Sequence, residues 1–390
     1  MKALCYNGVR DLRVETIPDP QLINPHDAIV RVHMSSVCGS DLHLINGYVP
    51  TVMAGDVLGH EFMGEIVEVG PEVKKLKRGD RVVVGSVIAC GECQHCQEQT
   101  YSLCDNTNPN AHLLEKMYGD SVAAIFGYSH AFGGYAGSHA EYIRVPFADQ
   151  GAFLVPEGLS DESVVFCSDA FPTGFMAADM AGIKPGMVVA VWGCGGVGQM
   201  AIQSARILGA ERIIAIDGHP ERLRIAQAHA GATHLLNYRE VNIQEALKEL
   251  TGGRGPDVCI DAVGMEAFGE GPGYYYDRVK QWVRLENDRP IVLREAIMAC
   301  RKGGTVSIVG VYSGFVDKIP MGAAMNKALT FKMGQMHAQK YIPRLLEYVR
   351  DGKVDPSYLI THQVGLEDGQ KAYDLFYEKR DHCMRAVFTP

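Results

Sequence analysis

Apolar residues in the first 150 positions come in short runs at strand length. Residues 28–32 (Ala-Ile-Val-Arg-Val), 62–69 (Phe-Met-Gly-Glu-Ile-Val-Glu-Val) and 80–84 (Asp-Arg-Val-Val-Val) are rich in β-branched side chains and separated by Gly and Pro. The opening Met1-Lys2-Ala3-Leu4-Cys5-Tyr6 alternates in the same way. The pattern predicts a mainly β domain. Near residue 171 the texture changes. Strand-like runs at 188–192, 212–216, 257–261 and 305–309 now alternate with helical stretches at 199–208 and 221–230. Alternation of this kind predicts right-handed crossovers and a doubly wound parallel sheet, an α/β arrangement. After about residue 320 the pattern loosens, and a last strand-like run at 385–388 is placed back with the first domain. The expected organisation is therefore 1–170, 171–320 and a return segment 321–390. Residues 265–290 are long for a connection inside such a unit and read as an insertion.

Composition narrows the class. Apolar residues make up 47% and charged residues 21%, as in a globular protein, and 43 glycines suit a fold full of tight turns. A net charge of −9 without a basic stripe gives no footprint for nucleic acid or an acidic membrane surface. No run approaches the roughly 18 apolar residues of a membrane span, and no secretory leader is expected. A cytoplasmic location follows, where thiols stay reduced. The 11 cysteines then call for a reading other than disulfides.

Four of them, Cys90, Cys93, Cys96 and Cys104, form C-x2-C-x2-C-x7-C. Such spacing turns successive thiolates onto one tetrahedral ion, and four sulfurs leave no open position, so the site is structural. An iron–sulfur cluster is the competing occupant. A sparser set follows catalytic rather than structural logic. Cys38 sits in Cys38-Gly39-Ser40-Asp41-Leu42-His43, and His60 in Gly59-His60-Glu61, with Glu61 as an adjacent oxygen donor. Catalytic zinc takes three protein ligands and keeps one position exchangeable. The third ligand must come from elsewhere, and the residues leave two candidates, Cys167 and Asp169.

The segment Gly193-Cys194-Gly195-Gly196-Val197-Gly198 reads G-x-G-x-x-G between a predicted strand and a predicted helix. That context makes it a dinucleotide fingerprint: Gly193 for the tight turn, Gly195 for approach of the pyrophosphate, Gly198 for close helix–strand packing. Gly196 and Val197 open the helix whose free N–H groups face the phosphates. Asp217 ends the next strand. There it accepts both ribose hydroxyls and repels a 2′-phosphate, so NAD is expected over NADP, with Arg222 nearby as the one opposing feature.

Taken together, Cys38-Gly39-Ser40-Asp41, Gly59-His60-Glu61 with Gly64 and Gly70, the four-cysteine lobe and Gly193 to Gly198 resemble the zinc-containing medium-chain alcohol dehydrogenase superfamily, essentially from end to end. The resemblance implies a GroES-like catalytic domain, a Rossmann coenzyme domain, and one catalytic and one structural zinc per subunit. It implies that Cys38 and His60 are catalytic zinc ligands and Glu61 an outer or occasional fourth ligand. It makes Ser40 the hydroxyl that meets the reacting alcohol, and His43 the end of a proton relay. Asp169, followed by Phe171-Pro172-Thr173-Gly174, is similar to the glutathione-independent formaldehyde dehydrogenase branch, which uses aspartate where cysteine is commoner. The branch implies Asp169 as third ligand, an insertion that holds NAD tightly at 265–290, and a homo-oligomer, the tetramer favoured over the dimer.

The expected activity is hydride transfer between NAD and a small alcohol or aldehyde hydrate, formaldehyde and short-chain aldehydes foremost, with dismutation if NAD is retained. The rival within the class is a general primary, secondary or polyol alcohol dehydrogenase. The rival of another class is a non-catalytic zinc- and nucleotide-binding protein.

Overall fold

The computed structural model describes residues 1–49, 51–265 and 289–390. The insertion expected at 265–290 lies, but for its ends, outside the described residues. The chain divides into two compact units, Met1–Pro172 with Met336–Pro390, and Thr173–Gln335. Among the described residues no helix is long and apolar enough to cross a membrane.

The first unit is built on strand Ala28–Ser36. It pairs antiparallel with Glu61–Val69 and Tyr142–Val145, and near its end with Arg385–Phe388. Glu61–Val69 continues to Arg81–Val84 and then Ala152–Leu154, while Ile360–Val364 borders Arg385–Phe388, giving a seven-stranded sheet. Ala28, Val30 and Val32 alternate inward with Phe62, Ile66, Val82, Val84, Ile143 and Val145 into one apolar core. Each of the Val, Ile and Phe side chains, fully buried, contributes about 1.5–3 kcal/mol. The run at 385–388 does rejoin this sheet, bringing the chain's end beside the strand that leads to Cys38.

The second unit is a six-stranded parallel sheet. Its order is His234–Asn237, Arg212–Asp217, Val188–Trp192, Val258–Asp261, Thr305–Ile308, Thr330–Met333, so the direction of winding reverses between Val188–Trp192 and Val258–Asp261. Strand Val188–Trp192 is buried throughout because both faces are covered. Val188, Ala190 and Trp192 pack into one layer with Ala296 and Ile297, and Val189 and Val191 into the other with Ala201, Ile202 and Ala205.

Three boundaries differ from expectation. The second unit runs to Gln335, past the return expected at 321, because Thr330–Met333 adds a sixth strand. That strand is largely exposed at the sheet's edge and so lacks an apolar signature. The helix expected at 199–208 starts at Gly196, taking in the end of the glycine turn. The one expected at 221–230 is α-helical over Pro220–Ile225 and closes with a π-helical turn, Ala226–Ala230, before Gly231 at φ +91°.

Candidate metal centres and cofactor site

Strand pairing assembles the sparser constellation. Ser36 lies opposite Glu61 in the sheet, so the chain leaving one strand and the chain entering the next stand side by side. Cys38 follows the first strand as N-cap of helix Gly39–Ile45, and Asp41, its third residue, reaches back to accept the Cys38 N–H at 2.8 Å. Gly59, at φ +97°, turns the chain so that His60 enters the same space. Asp169 comes from afar, between the turn Val165–Ser168 and helix Ala170–Met180.

The ligand atoms of Cys38, His60 and Asp169 all lie within 4.8 Å of one another. Cys38 Sγ is 3.6 Å from Asp169 Oδ2, and His60 Nε2 is 3.7 Å from that same oxygen. Zinc bond lengths at tetrahedral angles put sulfur and oxygen about 3.6 Å apart, and nitrogen and oxygen about 3.4 Å. Both measured edges therefore match those of a zinc tetrahedron, and the three atoms are close enough to share one ion. Cys167, the other candidate, is outside this group, and burial pushes its thiol up and keeps it protonated. Cys38 and His60 are buried while Asp169 and Ser40 are partly exposed, so one side of the position is open. The electrostatics also favour a cation. Burial works against a charged His60, yet Asp41 and Cys38 outweigh it and hold the imidazole well above its usual range.

The other expected site residues are placed as follows. Ser40 Oγ is 3.2 Å from His60 Nε2, at the open side. His43 is three residues on in the same helix and buried. Glu61 is fully buried and held at both oxygens, Oε1 accepting the Ala170 N–H at 2.8 Å and Oε2 lying 3.2 Å from Arg385 Nη1. Burial pushes its carboxyl up to about 7, against the pull of Arg385.

Sequence reasoning missed two partners. Asp41 Oδ1 lies 3.1 Å from His60 Nδ1, the place of a carboxylate that orients a metal-bound histidine. Arg385 sits under Glu61 and also donates to Val37 O at 2.6 Å. Asp41 was in plain view inside the Cys38 motif. The signal for Arg385 is a lone charge in an otherwise apolar run of four.

The four cysteines gather on one loop. Cys90 Sγ is 3.9 Å from Cys96 Sγ, and Cys93 Sγ 3.8 Å from Cys104 Sγ. A zinc tetrahedron with bonds of about 2.3 Å has sulfur–sulfur edges of about 3.8 Å. These sulfurs close on one ion and leave no room for the sulfide-bridged cage of an iron–sulfur cluster. The N–H groups of Glu92 and Cys93 and the side chain of Asn106 point at Cys90 Sγ, each at 3.4 Å. Burial opposes ionisation of Cys90, but these donors outweigh it and bring the thiol down to about 7.

In the second unit, Gly193 makes the tight turn at φ +87° after strand Val188–Trp192, and helix Gly196–Ile207 starts at once with Gly195 as its N-cap. A Cβ on Gly198 would meet Gly193 O at 1.7 Å, so only glycine fits there. Gly196 and Val197 form the first turn of that helix. Arg222 Nη1 stands 3.7 Å from where a side chain on Gly195 would begin. Asp217 already serves the protein: Oδ2 accepts the Cys194 N–H at 2.8 Å, and Oδ1 the N–H and ring nitrogen of His219, both at 2.9 Å. Of the roughly four acceptor positions on a carboxylate, one is left. Burial opposes the Asp217 charge, but His219 and Arg222 pull the carboxyl down to about 2.

Comparison with known proteins agrees with both halves. The family "Alcohol dehydrogenase GroES-like domain" matches residues 24–157, and "Zinc-binding dehydrogenase" matches residues 196–272. An uncharacterised zinc-type alcohol dehydrogenase-like protein, AdhB of Bacillus subtilis, is 39% identical over 393 residues, covering 100% of both chains. A glutathione-independent formaldehyde dehydrogenase of the same organism is 32% identical, covering 96% of this chain and 94% of that one. Among solved structures, the alcohol dehydrogenase TADH from Thermus sp. ATN1 superposes with a TM-score of 0.83 at 33% identity, covering 100% of this chain and 99% of that one.

Proposed function

The chain belongs to the zinc-type alcohol dehydrogenase family, and from that premise we propose that it transfers hydride between NAD and a small alcohol or aldehyde hydrate, with formaldehyde and short-chain aldehydes as its preferred class. The observation carrying the reading is the close group of Cys38, His60 and Asp169, open on the Ser40 side. Cys38, His60 and Asp169 would hold the catalytic zinc, and Cys90, Cys93, Cys96 and Cys104 the structural one. Zinc supplies a Lewis acid that makes an alcohol hydroxyl acidic and a carbonyl electrophilic, and NAD supplies the hydride acceptor. Ser40 Oγ takes the substrate proton and passes it toward the His43 imidazole, its neighbour at i+3 on one helix face. Asp41 keeps His60 turned to the site. Glu61, tied to Arg385 and Ala170, acts from beneath and touches no substrate.

Gly193 to Gly198 would hold NAD, the free N–H groups that open helix Gly196–Ile207 and the nearby Arg222 offering donors for its phosphates. The negative Asp217 favours a free ribose hydroxyl over a 2′-phosphate. The preference for aldehydes rests on Asp169 in the third position. A general alcohol dehydrogenase is the second reading, supported by the likeness to TADH at a similar identity. Assembly as a homo-oligomer, the tetramer before the dimer, belongs to the same proposal and is read by sizing with light scattering.

The test is a panel of primary, secondary and polyol alcohols and formaldehyde, with and without glutathione, against NAD and NADP. Turnover of formaldehyde with NAD alone is expected. A requirement for glutathione, or activity confined to polyols, rejects the aldehyde preference. Asp169→Ala is expected to abolish activity and remove one zinc of two; full activity with both zincs retained would refute its ligand role.

A further inference from the structure

Ser86 lies two residues past strand Arg81–Val84, on the stretch that leads to the four-cysteine loop, and the hydride-transfer reading gives it no task. Its side chain is buried, and a buried hydroxyl needs a partner. The partner is a candidate metal ligand: Ser86 Oγ donates to Asp169 Oδ1 at 2.9 Å. The other oxygen, Asp169 Oδ2, is the one near Cys38 Sγ and His60 Nε2, at 3.6 and 3.7 Å. The two oxygens of one carboxylate are thus divided, one to the serine and one to the metal position.

The Ser86 backbone is fixed from several directions. Its N–H donates to Ser168 O at 3.3 Å, the residue just before the ligand, and its carbonyl accepts the Phe126 N–H at 3.2 Å. On one side the Gly85 N–H reaches Gly151 O at 3.0 Å, and on the other Gln339 Nε2 donates to Val87 O at 2.7 Å. A Cβ on Gly85 would lie 2.8 Å from Ala338 Cβ, so helix Ala338–Arg350 presses its first residue against the chain here. Ser86 therefore grips residues 168–169 at two points from a braced base. The grip falls where it is needed, because Asp169 sits at the break between the turn Val165–Ser168 and helix Ala170–Met180 and belongs to neither.

A carboxylate can bind a metal ion through one oxygen or through both. Binding through both would take up the position that a catalytic zinc site keeps for water or substrate. For Asp169 the second mode would pull Oδ1 off its donor and leave a buried hydroxyl unsatisfied. We propose that Ser86 is a positioning residue that holds Asp169 to coordination through Oδ2 alone and so keeps the fourth position of the catalytic metal open. The proposal rests on the reading of Cys38, His60 and Asp169 as ligands.

The test reads coordination rather than turnover. Zinc is first counted in the wild-type protein. Cobalt is then exchanged into the more labile position, its visible spectrum recorded, and imidazole titrated against that spectrum as a probe of the open position. The variants are Ser86→Ala and Ser86→Thr, which keeps a hydroxyl. In Ser86→Ala the released Oδ1 is expected to turn to the metal. The cobalt bands should shift and weaken as the tetrahedral geometry is lost, and imidazole should bind at least about tenfold more weakly, the scale of one hydrogen bond to a charged group. Ser86→Thr is expected to restore both readings. The proposal is overturned if Ser86→Ala keeps the wild-type spectrum and imidazole affinity, including the case where only its melting temperature falls, the mark of a merely structural hydroxyl. It is also overturned if Ser86→Thr melts like the wild type yet gives the spectrum of Ser86→Ala. A wild-type protein holding only one zinc, at the four cysteines, instead rejects the ligand reading itself.

Discussion

Replacing Arg385 by Met tests whether the end of the chain braces the candidate catalytic site. Arg385 and Glu61 are 2% and 0% exposed, and their charged atoms are 3.2 Å apart. At that distance, with an effective dielectric of about 20, their attraction is about 5 kcal/mol. Taking each ion out of water costs several kcal/mol, so the intact pair contributes little net stability. Removing one partner is a different matter. Glu61, already pushed up to about 7 with the guanidinium beside it, must then either stay charged without a partner or take up a proton at pH 8, and Val37 O loses its donor. Broken buried pairs of this kind cost about 3–5 kcal/mol. In a unit of 150–250 residues that lowers the melting temperature by roughly 10 °C. The assay is calorimetry at pH 8 with zinc content counted in the same samples, because the Arg385 charge also acts on Cys38 and Asp169. Adding Glu61→Gln to Arg385→Met removes the orphaned charge. It keeps the acceptor for Ala170 and leaves one unsatisfied amide, so about 2 kcal/mol should return. A loss below about 1 kcal/mol for the single variant, or a double variant less stable than the single, refutes the reasoning.

Cys104→Ser should reduce the zinc count by one and open residues 90–104 to proteolysis while the other zinc stays, since a structural zinc supplies the folding energy of its own loop; metal analysis with limited proteolysis reads both. Gly198→Ala drives a Cβ to 1.7 Å from Gly193 O, so NADH binding followed by nicotinamide fluorescence should weaken more than about tenfold with both zincs retained. Asp217→Asn removes a charge that repels a 2′-phosphate, a contact of about 1–4 kcal/mol at about 4 Å. The NADP to NAD ratio of kcat/KM should then rise at least about fivefold; an unchanged ratio means that Asp217 does not select the cofactor.

What the sequence disclosed follows how far apart the interacting residues lie along the chain. The four-cysteine lobe is a 15-residue matter, and its spacing alone placed the sulfurs 3.8–3.9 Å apart. The glycine turn is likewise local, and its strand–turn–helix setting could be read from the apolar run at 188–192. Asp169 needed family likeness, because nothing within the sequence says that residue 169 folds back onto residues 38 and 60. Strand Thr330–Met333 escaped for the opposite reason. It is exposed at an edge, so the period-2 signal that burial imposes is missing.

The residues that stayed hidden share one property: their partners are chosen by strand pairing rather than by spacing. Arg385 meets Glu61 because Arg385–Phe388 lies beside the end of Ala28–Ser36, which in turn sits opposite Glu61. Tyr373 meets His139 because helix Gly369–Glu378 packs under that same corner, where the His139 ring meets those of Tyr373 and Phe388 edge to face. In both cases the last 55 residues of the first unit bring a polar group to the corner beside Cys38 and His60. A catalytic metal must be bound firmly yet leave one position open, and its own three ligands cannot do both unless they are held rigid from behind. The same strand junction that puts Cys38 next to His60 also creates the buried corner into which the return segment inserts Arg385 and Tyr373. The group of Cys38, His60 and Asp169 and the docked return segment therefore share one buried corner, and a variant that loosens either should loosen both.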